Sequence, residues 1–487
     1  MYGGCVVICC GLAVLIPAKA IPHIGVSWDE PYQRHYGQTI ISYLHHGDRA
    51  LFIDSERYYG PLAPLTLQIP ELITTTLPLS TLYAYRHWIT WLWFLIGVVG
   101  VYQVSRLASI DRQRSILAAL VVLTTPIIAG HALFNSKDIP FLTLTIWATW
   151  AACRFWKHPS GSTAGWLGVT FGLALLGRIN ALIPLGILVI VGGAVYGINR
   201  RSVALATAAI VGASLIMLAG WPTLWFNPIG EFIEAIGLMF RSPWGYTVLF
   251  NGELIASTDL PWMYLPVWMG ITLNPVGLIA AGAATIGGLV SLRQWRQRRA
   301  DPLVIILAPS IITMAAIMLL RPVIYDSWRQ LLYIYPALVI GVVAAAQRLS
   351  RWSVGRWVEP AIWAAYWVTT LGTWITYFPY THCYLNSWAG PRESIIYTWE
   401  TDYWGVTNRE VLESLPPGST VIGDTYPAEV NVAIVSERRP LNLVHNPDTA
   451  HYLVSTHRWR QGPLALPTVA EVRRDGIVLS RVYKLRI

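Results

Sequence analysis

Four short polar segments in an otherwise apolar chain carry the side chains that could do chemistry. Trp28-Asp29-Glu30 sets two carboxylates beside an indole. A carboxylate there can take a proton from a hydroxyl nucleophile or hold a cation, and partial burial against the ring would raise its pKa. A solvated acidic loop would show the same tripeptide. Phe134-Asn135-Ser136-Lys137-Asp138-Ile139-Pro140 puts an amide, a cation and a carboxylate in one tight turn. Lys137 could meet a phosphate as a point charge, while Asp138 could orient it or bind a metal. A hairpin turn leading into a helix that opens on Pro140 accounts for the same residues. Arg178 and Asn180 interrupt an apolar stretch, where charge is costly and marks a functional candidate unless the arginine snorkels from a helix end. Arg321-Pro322-Val-Ile-Tyr325-Asp326-Ser-Trp328-Arg329-Gln330 offers two guanidiniums, a carboxylate and two aromatic rings. Such a set could grip a phosphate or pyrophosphate and stack on a sugar, although an Asp326 to Arg329 pair capping a helix would also explain it.

The elements that must hold these segments are transmembrane helices. Of the 487 residues, 54% are hydrophobic and 13% charged, against roughly a quarter charged in soluble domains. Trp and Tyr, 24 of each, outnumber 11 Phe, as suits a protein with many membrane interfaces. Stretches of about 20 apolar residues predict some eleven spans, near 4 to 21, 84 to 105, 115 to 133, 139 to 156, 163 to 178, 181 to 198, 203 to 220, 266 to 291, 302 to 320, 331 to 347 and 359 to 378. The net charge of +9 reflects arginines in alternate short loops rather than a nucleic-acid face: Arg106, Arg112 and Arg114; Arg154 and Lys157; Arg200 and Arg201; Arg293 through Arg299; Arg348, Arg351 and Arg356. Those loops face the cytoplasm by the positive-inside rule. All four polar segments then reach the opposite face.

Two outer loops are long, 22 to 83 and 221 to 265, and their Pro-rich and amphipathic stretches predict short helices along the interface. Residues 1 to 379 form the transmembrane unit. From 380 to 487 charge rises and β-prone runs at Thr420, Tyr452 and Ile477 alternate with a helical stretch at Asn408 to Leu415, which predicts a small α/β domain outside the membrane. The first span lacks a preceding cation, and its Ala18-Lys19-Ala20 is a weak match to a cleavage site. The five cysteines form no metal-type spacing and imply no disulfide framework.

Convergence of four charged clusters on one face implies one site for a phospholipid-carried substrate. On Trp28-Asp29-Glu30, Phe134 to Pro140 and Tyr325-Asp326-Ser-Trp328-Arg329-Gln330, the chain resembles the GT-C superfamily of integral-membrane glycosyltransferases. The likeness is to a bacterial branch related to dolichyl-phosphate-mannose protein mannosyltransferases, and it covers about residues 20 to 380. Ser136 stands where that branch usually carries Pro. The resemblance implies a polyprenyl-phosphate sugar donor, inversion at the anomeric carbon, and a first-loop base on the acceptor hydroxyl, which is Asp29 by position. It implies that Lys137, Arg178 and Arg329 engage the donor phosphate, with Arg321 as a further candidate, and that Glu30 acts beside the base. Trp28, Asn135, Asp138, Tyr325, Asp326 and Trp328 would support the site, and Asp138 with Glu30 could hold a divalent cation. Glu400-Thr-Asp-Tyr-Trp-Gly405 shares the likeness without a role. The acceptor would be a protein, a lipid or a polysaccharide, and the setting a bacterial plasma membrane with the site outside. A flippase or a polymer ligase for lipid-linked saccharides is the alternative, but a transporter should show paired repeats and charges at mid-bilayer depth.

Overall fold

The computed structural model describes residues 2–74, 76–241, 244–279, 281–282, 301–351 and 355–485. Five helical segments among these residues are long and apolar enough to cross a membrane: Leu79–Leu107, Ile179–Tyr196, Arg200–Gly220, Pro302–Leu320 and Arg329–Leu349. Tyr2–Ala20, Arg112–Thr124, Asp138–Lys157, Gly161–Gly177 and Gly355–Tyr377 also belong to the bundle among the described residues. Asp138–Lys157 is apolar on nearly every side and is buried accordingly, packed against Leu79–Leu107, Gly161–Gly177 and the helix Leu182–Tyr196. It forms the central post, and its first residue belongs to the candidate site.

Two expected spans are interrupted. The stretch 115 to 133 is not one helix: Pro126 has no N–H to continue the ladder, so Arg112–Thr124 stops and Pro126–His131 begins anew. The stretch 331 to 347 opens with a tighter turn, Arg329–Ile334, before Tyr335–Leu349, whose second residue is Pro336. The expected span 266 to 291 starts in the helix Tyr264–Thr272, and most of its second half, like Arg293 to Arg299, lies outside the described residues.

The first long loop contains the helices Glu30–His46, Leu62–Leu67 and Ile69–Ile73. The second holds Pro228–Arg241 and an antiparallel pair, Thr247–Phe250 with Glu253–Ala256. The sequence reading missed that pair, although Asn251-Gly252, both at positive φ, is the usual two-residue hairpin turn. In the tail, five strands form one sheet in the order Asn442–Leu443, Thr420–Gly423, Tyr452–Ser455, Ile477–Lys484, Thr468–Arg474. The first three run parallel, the last two antiparallel, and the helix Tyr426–Ser436 connects the first parallel pair.

Main-chain bonds stitch this tail to the first long loop. The Gly25 N–H donates to Val406 O at 3.0 Å and the Trp28 N–H to Trp404 O at 3.1 Å, while the Val26 N–H donates to Asn431 Oδ1 at 2.9 Å. A side chain at Gly25 would strike Asn431 and the Val406 carbonyl, so only glycine permits the approach. Gly60 does the same at the other end of the loop, lying against the Leu176 and Gly177 backbone just before Arg178.

Candidate active site

The turn before the central post is built around Asn135. Its Oδ1 accepts the Asp138 N–H at 2.9 Å and its Nδ2 donates to Asp138 Oδ2 at 2.9 Å. One side chain thus caps the helix start and fixes its carboxylate, where the helix dipole also favours an anion. Asp138 is 1% exposed and holds two guanidiniums: Arg178 on Oδ1, and Arg329 on Oδ2 at 3.1 Å. Arg178 comes from the end of Gly161–Gly177 and Arg329 from the turn before Tyr335–Leu349. A buried carboxylate shared by two arginines fixes both cations while leaving them a net positive charge.

Lys137 points the other way. Its Nζ is 2.7 Å from Glu56 Oε2 and 3.6 Å from Asp29 Oδ2, and it lies 4.4 Å from the centre of the Tyr59 ring. Burial pushes its pKa down, but Asp29 and Glu56 more than reverse this, so the ammonium stays charged. Glu56 is itself held by Gln33, whose Nε2 donates at 2.5 Å. The loop carrying it is tied down by the Trp221 indole N–H on Arg57 O at 3.0 Å and by Tyr58 on Glu231 at 2.8 Å.

Asp29 closes the arrangement. Its Oδ2 lies 3.6 Å from Lys137 Nζ and 3.6 Å from Arg329 Nη1. Both separations exceed a hydrogen bond, so the carboxylate feels two cations without being consumed by either. Arg329 is bound again by Asp326, through Nε to Oδ2 at 3.1 Å, and Asp326 by Arg458 of the tail, through Nη2 to Oδ1 at 2.5 Å. Asp326 and Ser327 sit at φ 57° and 63°. Two consecutive non-glycine residues in that region cost of order 1–3 kcal/mol each, a strain typical of functional turns. The Arg329 guanidinium is sandwiched near the rings of Trp404, at 4.5 Å, and Tyr325, at 5.0 Å.

The structure therefore gathers Asp29, Lys137, Asn135, Asp138, Arg178, Tyr325, Asp326 and Arg329 in one buried cluster, with Trp28 at its edge facing Arg458 at 5.1 Å. Three expected members lie elsewhere. Glu30 accepts from the Ser27 N–H and hydroxyl, at 2.8 and 2.9 Å, and faces His87 Nε2 at 3.0 Å, away from the cations. Arg321 is exposed where Pro302–Leu320 ends. Trp328 is buried and donates to Thr272 Oγ1 at 2.8 Å, so it packs the core rather than facing a ligand. Sequence reading missed Glu56, Tyr59, Trp404 and Arg458. Trp404 belongs to the Glu400 to Gly405 segment, the one signal that pointed to this part of the tail.

A divalent cation shared by Asp138 and Glu30 does not fit this geometry. Both Asp138 oxygens already face guanidiniums, and Glu30 has separate partners. The metal-type grouping found among the described residues is His382, Cys383 and Asp402, buried in the tail within 4.8 Å of one another. Asp402 there already accepts from the Gly405 N–H and from the Thr407 N–H and hydroxyl, at 3.0, 2.8 and 2.7 Å. Those bonds brace the Asp402 to Thr407 turn.

The dolichyl-phosphate-mannose-protein mannosyltransferase family model matches residues 80–226. Over whole chains, the structure of ArnT from Cupriavidus metallidurans bound to undecaprenyl phosphate superposes with a TM-score of 0.55 at 14% identity, covering 99% of this chain and 98% of that one. The apo state of the same enzyme gives 0.55 at 13% identity, again with 99% and 98% covered. The archaeal oligosaccharyltransferase AglB from Archaeoglobus fulgidus gives 0.46 at 14% identity, with 90% and 63% covered. No curated protein matches the sequence. The chain is thus an integral-membrane protein, α-helical and polytopic, with a small C-terminal α/β unit and the fold of ArnT. Its resemblance to the GT-C glycosyltransferases is borne out.

Proposed function

We propose that this protein is a glycosyltransferase that moves a sugar from a polyprenyl-phosphate carrier to an acceptor hydroxyl on the outer face of a bacterial plasma membrane, with inversion. The observation that carries the reading is Asp29: a carboxylate with no side-chain hydrogen bond among the described residues, 3.6 Å from both Lys137 Nζ and Arg329 Nη1. A proton acceptor beside two buried cations is what displacement of a phosphate leaving group by a hydroxyl requires. The undecaprenyl phosphate bound to ArnT, whose fold this chain shares, supports a carrier of that class.

In this mechanism the donor phosphate enters between Lys137 and Arg329, with Arg178 adding positive charge through Asp138. The acceptor oxygen bonds to the anomeric carbon as its proton passes to Asp29. The bond from that carbon to the phosphate oxygen breaks, and its electron pair leaves with polyprenyl phosphate. The cations match the charge of the leaving group, so the remaining demand is placement and deprotonation of the acceptor. Residues 1 to 379 carry the catalytic unit and 380 to 487 form an outer domain that completes its wall.

The test is to incubate the purified protein in lipid with a panel of polyprenyl-phosphate sugars and to follow free polyprenyl phosphate by mass spectrometry. Release from one donor is expected. Binding of lipid-linked sugars with transport between leaflets, and no release from any of them, would contradict the reading.

A further inference from the structure

Beside the cluster runs a path of aromatic rings that the phosphate chemistry does not use. Trp244 stacks on Tyr325, centroids 4.1 Å apart and planes 9° from parallel. Trp244 meets Tyr246 at 5.5 Å, and Tyr246 stacks on Trp459 at 5.2 Å and 18°. Trp459 meets Trp28 at 6.0 Å, and Trp28 meets Tyr426 at 6.4 Å. Tyr32 ends the path, 5.4 Å from Tyr426. Tyr32 also lies close enough to Glu56 and Asp29 that, after burial, their charges help raise the pKa of its hydroxyl. The path thus leaves the Arg329 side at Tyr325 and returns to the carboxylate side at Tyr32, forming a rim around Asp29.

Three features set this rim apart from a core stripe. It is assembled from the first loop, the second loop, the turn before Arg329 and the tail, four parts that share no local sequence. It is open to solvent, with Tyr246 58% and Tyr32 41% exposed. All its rings are Tyr or Trp, each with an electron-rich face and a polar tip. Arg458 lies over Trp459 at 4.8 Å and over Trp28 at 5.1 Å, contacts that hold both rings before anything binds.

We propose that this rim is an acceptor subsite for a saccharide, so that the hydroxyl presented to Asp29 belongs to a glycan. A sugar ring offers C–H faces to stack on aromatic faces and hydroxyls at its edge for the nearby Glu56, Asp29 and tyrosine groups. A polyprenyl chain would be better met by aliphatic side chains and would not need the polar tips. The proposal rests on the glycosyl-transfer reading above and specifies its acceptor.

The experiment uses the full chain in nanodiscs with a donor that releases polyprenyl phosphate, and two acceptor pools. One pool is a panel of oligosaccharides of mannose, glucose, galactose, arabinose and N-acetylglucosamine; the other is a set of Ser/Thr peptides. The transferred sugar is located by mass spectrometry. Transfer to an oligosaccharide is expected, with the acceptor KM raised about tenfold by Tyr246→Ala, because Tyr246 offers the open ring face, and about threefold by Trp459→Ala, because Trp459 backs it. The rise should fall on the acceptor KM rather than the donor KM, and Tyr246→Phe should restore most of the loss. Exposed Tyr246 keeps the test usable should Trp459→Ala fold poorly. Transfer to peptides alone, or an acceptor KM unmoved in Tyr246→Ala, overturns the proposal. Release of polyprenyl phosphate to water with neither pool labelled also overturns it, while leaving the donor reading intact. No release from any donor defeats the donor reading and the acceptor proposal with it.

Discussion

Two ionic clusters sit at opposite ends of the bundle, and both pair arginine with aspartate. At the far end of Leu79–Leu107, Arg114 bonds Asp111 at 2.6 Å and Glu359 at 2.5 Å, with Ser350 Oγ at 2.9 Å. The Asp111 N–H donates to Gln347 at 2.7 Å, and Asp111, Arg114, Gln347 and Ser350 line a cavity of about 600 Å³. Every strong acceptor there has a donor, and the set joins the ends of three helices. At the Asp29 end the ions are more deeply buried, yet among the described residues the ionic contacts of Asp29 are both at 3.6 Å. A brace saturates its groups; a site leaves one poised. Unspent capacity, more than the number of charges, separates the two.

Apart from Asp29 itself, the largest effect is expected at Lys137. Lys137→Ala should lower kcat/KM for the donor by about 2 kcal/mol or more, roughly thirtyfold, because a desolvated charge-assisted contact to phosphate is lost. Steady-state kinetics at matched expression checks this, and wild-type kinetics would remove Lys137 from the site. Glu30→Gln should behave as a brace variant. It loses charge-assisted bonds to Ser27 and should cost about 1–3 kcal/mol of stability, with turnover changing less than in Lys137→Ala. Thermal unfolding and activity measured on one preparation separate the two effects.

Glu400 sharpens the contrast from a third position. It is buried, neither carboxylate oxygen has a side-chain hydrogen-bond partner among the described residues, and burial followed by Asp326 pushes its pKa up to about 8. Between the ordinary value of 4.5 and about 8 the folded state keeps a proton that the unfolded chain has released. Stability should therefore fall as pH rises through that window. Glu400→Gln should flatten the decline, seen as a smaller drop in Tm between pH 6 and pH 8 than in the wild type. The smallest effect is expected at the other end. Arg114 is 25% exposed and Asp111 41%, so Arg114→Ala should cost about 1 kcal/mol or less and leave donor turnover near wild type. A large loss of activity there would erase the distinction between brace and site.

Much of the cluster was legible because charge in an apolar chain is conspicuous. Lys137, Asp138, Arg178 and Arg329 interrupt hydrophobic sequence, and alternation of basic loops puts them on one face. Asp29 and Glu30 could not be told apart from composition. Asp29 is the N-cap and Glu30 the first residue of Glu30–His46, and successive helical residues point about 100° apart, so one meets the cations and the other Ser27 and His87. Arg321 and Arg329 share one motif, yet the left-handed turn at Asp326 and Ser327 lies between them, a conformation no residue type there announces. Glu56 and Arg458 were missed because charged residues in polar loops carry no signal. Only tertiary packing, through Gly25 and Gly60, brings them to the site. In the fold, the break at Pro126 was readable from the proline, whereas the strands Asn442–Leu443 and Thr468–Arg474 needed their partners to exist.

The central claim is that Asp29 takes the acceptor proton while its neighbouring cations hold the donor. Asn has nearly the same size but accepts no proton, so Asp29→Asn isolates that role. Turnover and donor affinity should be measured together in nanodiscs, the first as polyprenyl phosphate released and the second as competition by polyprenyl phosphate. The account predicts a turnover loss on the order of 100-fold or more, with donor affinity equal to or tighter than wild type because a competing anion has gone. Turnover within about tenfold of wild type, or a loss that falls wholly on donor binding, would contradict it.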